Sequence, residues 1–438
     1  MISAFFQHLE QTQQRTVSLI TQQGYDQLLI GSGSLHGHFL DDTRYPFRPN
    51  PHFVLWVPFL AEHPDCWLLV RNGQKPVLFY YTPTDFWHLT PELPSDEWTK
   101  AFELVAYDDF AAVESQLKGH NTAVINEQLV TITASDNTAI NQNPQALITA
   151  LNFHRAVKTE WEQHCLREAN YLAVKGHAAA EAAFLAGKSE YEINQIYFSA
   201  IAHNERDMPY DNIIGLNEHA AVLHYQFQQR TVPDQHRTLL IDAGARFNSY
   251  AADITRTFTP EGSLFADLVR GLDDLQQQLC NQINAGSNFI ALHEQMHLMI
   301  ADLLNRFGII TANPEIQLEQ GITRTFYPHG LGHLLGLQVH DVGGWQQDEA
   351  GTLLNPPEEH PFLRLTRTLE EGHVITIEPG VYFIPQLLKE LKNSPSSEHV
   401  NWAMVEQLLP YGGIRIEDNI CVQKDGSENY TRDGFAKL

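Results

Sequence analysis

The chain has 438 residues, with 28 Lys and Arg against 53 Asp and Glu, a formal net charge of −25. That length exceeds one ordinary core, so two or three domains are expected, and 43% hydrophobic residues with 18% charged exclude a disordered chain. So negative a balance excludes a polyanion-binding surface, because nucleic acid and anionic lipid both require a basic footprint.

The N-terminal run MISAFFQHLEQTQQR has no basic leader and no long apolar segment, and reads as an amphipathic helix over Ile2–Gln23 rather than a signal peptide. The longest apolar stretch, Phe53–Ala61, is interrupted by Pro58 and is far too short to span a membrane. Tyr25–Gly31, Cys66–Val70, Pro76–Tyr81 and Ala123–Asn126 are β-rich runs, and Asp108–Lys118 reads as helical. This alternation predicts a smaller α/β domain, placed at residues 1–155. Four widely spaced cysteines, Cys66, Cys165, Cys280 and Cys421, form neither a disulfide framework nor a thiolate metal site. A soluble, cytoplasmic protein is expected.

Two capping-box signals follow, at Thr159–Glu162 and Ser189–Glu192, each opening a helix; Gly187 can stop the first, and the second runs to about Asn204. Strands are expected at Thr238–Asp242, Asp253–Phe258, Val374–Glu378 and Ile414–Cys421, and helices near Leu264–Ala285 and Phe289–Phe307. The polar segment Leu391–His399 reads as an exposed loop. Residues 156–438 thus form an α+β domain with a largely antiparallel sheet.

The chemistry concentrates in this second domain. In Thr238–Phe258 a turn centred on Phe247-Asn248 would set Asp242 opposite Asp253, two acids that repel unless a cation lies between them. Tyr327–Asp341 carries His329, His333 and His340 among glycines 330, 332 and 336, which allow close backbone approach. Glu378 ends an apolar strand before a Pro-Gly turn, and Arg415 shares a strand face with Glu417. Four carboxylates and one imidazole would neutralise two divalent cations. Oxygen-rich ligation favours Mn²⁺, with Co²⁺, Fe²⁺ and Zn²⁺ as alternatives, and such a pair suits metal-assisted hydrolysis.

In this order IDAGA…DITRTF, HGLGHxxGxxxHD, TIEPG and RIED resemble the pita-bread metallopeptidases, the group that includes methionine aminopeptidase, aminopeptidase P and prolidase. DDTRYPFRPNPHF near residue 41 and MPYDNIIGLNEHAAVLHY near 208 extend the similarity, over essentially the whole chain, to the bacterial Xaa-Pro dipeptidase branch. The resemblance implies an α+β pita-bread catalytic domain, two Mn²⁺ per subunit, and hydrolysis of dipeptides with C-terminal proline. Asp242, Asp253, His333, Glu378 and Glu417 match the metal ligands, Asp253 and Glu417 as the bridging pair and Glu378 also as proton shuttle. His224 and His340 match histidines on the scissile carbonyl and oxyanion, and His329 lines the same pocket. Arg415 matches a supporting pocket arginine. Arg364, with Arg367 nearby, matches a buried cation that holds the dipeptide carboxylate, and Tyr210 contributes to the proline pocket. In related dimers the N-terminal domain reaches the partner's site, where Asp42 would bind the substrate amino group and Trp87 would wall the pocket. Some relatives also hydrolyse organophosphate triesters. Aminopeptidase P action on longer Xaa-Pro peptides is the alternative.

His293-Glu294-Gln295-Met296-His297 also spells the zincin signature. With the apolar stripe Phe289, Met296, Ile300, Leu303 and no evident third ligand, it reads as a chance match whose histidines pack beside the core.

Overall fold

A computed structural model describes residues 2–132 and 138–438. Contacts divide the chain into two units. One holds the residues through Arg155 together with Thr159–Glu162 and Asp348–Thr352; the other holds Ala156–Lys158, Gln163–Gln347 and Leu353–Leu438.

In the first unit the helix Ile2–Gln22 turns Phe5, Leu9, Leu19 and Ile20 inward. A mixed sheet contains β1 (Gln27–Gly31), β2 (Trp67–Arg71), β3 (Val77–Tyr81), β4 (Glu103–Tyr107), β5 (Asn121–Ile125) and β6 (Ala139–Gln142), in the order β4-β3-β2-β1-β5-β6. Every residue of central β1 is buried, the pattern of a strand covered on both faces. The helix expected over Asp108–Lys118 shortens to Ala111–Ser115.

From Gln163 onward the helix Glu160–Leu185 belongs to the second unit; its N-terminus is closed by Thr159 and Glu162 exchanging side-chain-to-backbone hydrogen bonds of 2.8 and 3.4 Å. Gly187, at φ +75°, follows its end. The helix Glu190–Ile201 carries the second capping box and ends earlier than expected, with Ala202 in the left-handed region. The sheets are β7 (Ile213–Leu216), β8 (Leu239–Asp242) and β11 (Thr255–Phe258); the β9–β10 ribbon (Arg246–Phe247, Tyr250–Ala251); β12 (Val374–Ile377), β15 (Asp418–Gln423) and β16 (Gly426–Asn429); and the β13–β14 pair (Gly380–Tyr382, Gly413–Arg415). Every pairing among them is antiparallel, as expected. Helices Leu264–Cys280 and Phe289–Arg306 cover one core through Leu268, Leu272, Met296 and Ile300, packed with Ile375, Ile377 and Ile420.

Three expectations are corrected. The β8–β11 turn lies at Asn248-Ser249, both at positive φ, not at Phe247-Asn248, so Asp242 pairs with Thr255. Asp253 lies two residues before that partner, in the break ahead of β11. The run Ile414–Cys421 is two strands, β14 and β15, parted at Ile416-Glu417 and paired with different neighbours. Leu391–His399 is not an exposed loop: it contains the end of the helix Pro385–Lys392 and a 3₁₀ turn, Pro395–His399, with Leu391 and Ser396 buried.

Buried imidazoles set an acid limit on this fold. His177 is fully buried and burial, ahead of any neighbour, lowers its pKa to about 3; His373 is likewise pushed down to about 2, by burial and then by Arg367 and Lys158. Both values lie below the ordinary 6.5, so the unfolded chain binds the extra protons. Stability is therefore fully present above pH 6.5 and is lost as pH falls below it. We expect the unfolding free energy of His373→Gln, followed by urea titration between pH 7 and 5, to depend on pH less steeply than the wild type, the difference in slope growing to about 1.4 kcal/mol per pH unit near pH 5. Equal slopes would exclude His373 as a source of acid sensitivity.

Candidate metal centre

The five donors named from the sequence converge on one cavity of about 390 Å³. Each is delivered by an edge of secondary structure. Asp242 ends β8, and Asp253 lies in the break before β11. Glu378 follows the apolar β12, and Glu417 sits between β14 and β15. His333 comes from the glycine-rich segment, which runs against β12. There the backbone N–H of His333 donates to Thr376 Oγ1 at 3.0 Å, and a Cβ on Gly332 would collide with the Thr376 carbonyl. We expect Gly332→Ala to force the segment off β12 and destabilise the protein by about 1–3 kcal/mol, read as a fall in midpoint of thermal unfolding. An unchanged midpoint would contradict this packing.

Asp253, His333 and Glu417 present ligand atoms within 4.8 Å of one another, all three residues buried. His333 Nε2 lies 3.4 Å from Asp253 Oδ2 and 3.5 Å from Glu378 Oε1. Its Nδ1 is 3.0 Å from the Leu334 carbonyl, an arrangement that places the proton on Nδ1 and leaves Nε2 as a donor to a cation. The Tyr210 hydroxyl reaches both Asp242 (2.7 Å) and Asp253 (2.6 Å).

The electrostatics show what this cluster lacks. Burial, then the neighbouring acids Asp253, Glu378 and Asp242, pushes the Glu417 carboxyl well above the usual carboxylate range. Burial raises Asp242 as well, and pushes Glu378 up to about 7. Asp253 alone is held below its ordinary value, because the hydrogen bond and charge of His333 outweigh its burial. Arg415 offsets part of the acid cluster: it donates to Asp242 Oδ2 (2.7 Å), to the Tyr382 hydroxyl (3.0 Å) and to Thr255 Oγ1 (3.1 Å). One guanidinium and one imidazole against four carboxylates, two of them buried and two half-buried, is a donor set suited to bound divalent cations.

The remaining lining supplies the pocket. His224, His329, His340 and Arg364 stand on its wall with Leu223, Pro328, Phe362, Ile384 and Leu387. His340 packs edge-on to His333 at 4.5 Å, and burial, then the charges of His333 and Arg364, lowers its pKa to about 4. Arg364 lines the cavity but is exposed, not a buried cation as the resemblance implied, on a stretch where Phe362 is exposed too. Arg367 is buried and donates to Glu370 at 2.6 Å, so of the two it is Arg364 that lines the cavity. Asp42 and Trp87 lie on exposed stretches of the first unit, Trp87 stacked near Phe86 at 4.7 Å.

Sequence reasoning missed Tyr382 and Thr255. The Tyr382 hydroxyl joins His329 Nε2 (2.8 Å) to Arg415, and Thr255 donates to Glu417 Oε2 at 2.7 Å. Both sit on strands where alternation alone marked them as ordinary β residues.

Oxygen-rich donors in a wall of antiparallel strands define a metal-dependent hydrolase, and the chain belongs to metallopeptidase family M24, which it matches over residues 164–424; the catalytic domain has the pita-bread fold. Residues 3–153 match the Xaa-Pro dipeptidase N-terminal domain. Among curated relatives, the Xaa-Pro dipeptidase of Shewanella loihica is 45% identical over 429 residues, 97% of each chain. Those of Shewanella amazonensis and Aeromonas hydrophila are 46% and 45% identical, each covering 98% of both chains. Escherichia coli aminopeptidase P, solved as a zinc-substituted product complex, shares the fold with a TM-score of 0.74 at 23% identity, over 98% of this chain and 95% of that one. Among the described residues no helix is long and apolar enough to cross a membrane.

Proposed function

We propose that the protein is an Xaa-Pro dipeptidase. The observation that carries this is the pairing of an acid-rich donor cluster with an apolar cavity that has one exposed arginine, Arg364, on its rim. Residues 156–438 form the catalytic domain and residues 1–155 the domain that precedes it. Asp242, Asp253, His333, Glu378 and Glu417 would hold two divalent cations, Mn²⁺ in preference to Co²⁺, Fe²⁺ or Zn²⁺ given the oxygen donors. When bound, such ions polarise a carbonyl and make water available as a nucleophile near neutral pH.

The chain's own residues divide the remaining work. Glu378, at the end of β12 among the other donors, can take a proton from water and return it to the leaving amine. His224 and His340 meet the scissile carbonyl and its developing oxyanion. His329, tied through Tyr382 to Arg415, shapes the pocket for the proline ring, together with Tyr210 beside the aspartates and the apolar wall. Arg364 takes the C-terminal carboxylate. Organophosphate triesters, attacked at phosphorus in the same pocket, are a side activity of this reading.

A homodimer fits the exposed Phe39, Leu40, Phe86, Trp87 and Leu89 of the first unit, with Asp42 and Trp87 completing the partner's pocket around the substrate amino group. Four buried cysteines, none in a disulfide, favour a reducing, cytoplasmic setting. The test is Mn²⁺-loaded protein offered a Xaa-Pro dipeptide and a longer Xaa-Pro peptide. Cleavage of the dipeptide is the expected result. Cleavage of the longer peptide alone would overturn the reading in favour of an aminopeptidase P activity.

A further inference from the structure

The histidines of the zincin-like motif pack beside the core, as expected, but a third imidazole that the sequence did not offer, His360, stands beside them. His293 and His297 stand one turn apart on the inner face of the helix Phe289–Arg306, 1% and 2% exposed. His360 enters from a loop 63 positions further on, and the three rings offer nitrogen atoms within 4.8 Å of one another. Ring centroids are 4.7 Å apart for His293 and His297, 4.3 Å for His293 and His360, and 4.8 Å for His297 and His360. They line a second cavity of about 560 Å³, with Arg324, Tyr327, Glu358 and Glu359.

Two details point to a ligand. His293 Nδ1 is buried with no hydrogen-bond partner, an orphaned polar atom of the kind a bound group satisfies. His297 Nδ1 is fixed by Thr323 Oγ1 at 2.9 Å, which orients the ring and leaves Nε2 free, as metal-bound histidines are held by an outer partner. Burial keeps all three imidazoles in the neutral form that metals require. A tetrahedral ion with N ligands at about 2.0–2.1 Å sets nitrogens about 3.3 Å apart. His360, half-buried on its loop, is the ring able to close that gap.

We propose that His293, His297 and His360 form a binding site for one borderline transition-metal ion of the zinc and copper class, separate from the carboxylate centre. All-imidazole ligation selects such ions, whereas the oxygen-rich centre favours harder ones. Arg324 opposes a cation, and Glu358 and Glu359 on the same cavity wall offset it. Glu294 is exposed while its flanking histidines face inward, so the site is one of binding and not a second hydrolytic centre. An ion here would tie down the loop that carries Phe362 and Arg364 to the other cavity. The inference stands without the dipeptidase reading.

The experiment equilibrates protein saturated with Mn²⁺ against buffered free Zn²⁺, then counts both metals in the same sample. Wild type should take up one zinc per chain with manganese unchanged. His360→Ala should hold at least tenfold less zinc at the same free concentration, with manganese again unchanged, and His360→Cys, which restores a zinc ligand, should recover it. Amide exchange over residues 358–363 should slow with zinc in wild type and not in His360→Ala. No zinc uptake, equal uptake by wild type and His360→Ala, or uptake matched by manganese loss would each overturn the proposal, the last by placing zinc in the carboxylate centre.

Discussion

Glu417→Gln should have opposite effects on the metal-free and the metal-loaded protein. In the metal-free state the variant should unfold at a higher temperature than wild type, by several degrees. Loaded with Mn²⁺, it should hold less metal and lose roughly a thousandfold in kcat/KM, about 4 kcal/mol of transition-state stabilisation. The reason is that Glu417 is 2% exposed beside three further acids, where either its charge or its forced protonation is costly. Gln keeps an oxygen for the 2.7 Å bond from Thr255 but removes the charge. Calorimetry with and without chelator, with metal counting and dipeptide kinetics, gives both halves. A fall in the stability of the metal-free variant would mean that Glu417 is a structural acid and not a ligand held in an unfavourable place.

Arg364→Ala should raise KM for a Xaa-Pro dipeptide by about ten- to a hundredfold, the scale of a charge-assisted hydrogen bond, with kcat little altered. The preference for a dipeptide over a Xaa-Pro tripeptide should narrow with it, since the carboxylate that distinguishes them loses its partner. Because Arg364 is exposed, its attraction is screened, so wild-type KM should rise with salt while that of the variant stays nearly flat. A variant whose KM keeps the wild-type value and salt response would remove Arg364 from substrate recognition and reopen the choice of substrate length.

What could be read from the sequence follows from how each group is placed. Asp242, Glu378 and Glu417 stood out because a charge beside a buried apolar strand is costly without a partner. His333 stood out because glycines that only a close backbone approach explains surround it. The register between Asp242 and Asp253 did not follow, since Ser249 adopts a left-handed conformation that its side chain does not advertise. Nor did the break at Ile416-Glu417, where alternation runs unchanged through a change of sheet. His360 was invisible for a different reason: it lies on a loop, with no periodicity linking it to the helix it approaches.

The donors of the acid cluster come from five segments strung between the end of β8 and the start of β15, so segments as far apart in sequence as Asp242 and Glu417 must meet before the cluster exists. An isolated hairpin or helix pair from this domain holds at most part of it. Domains emerge and fold from the N-terminus during synthesis, and contacts this distant in sequence form late. On the proposed ligand set, metal capture would thus come late in maturation, since a nascent or partly unfolded chain presents scattered acids. Metal held by that set would then report that the end of β8, the end of β12 and the junction of β14 and β15 are in place together, a gauge of local opening at any of them.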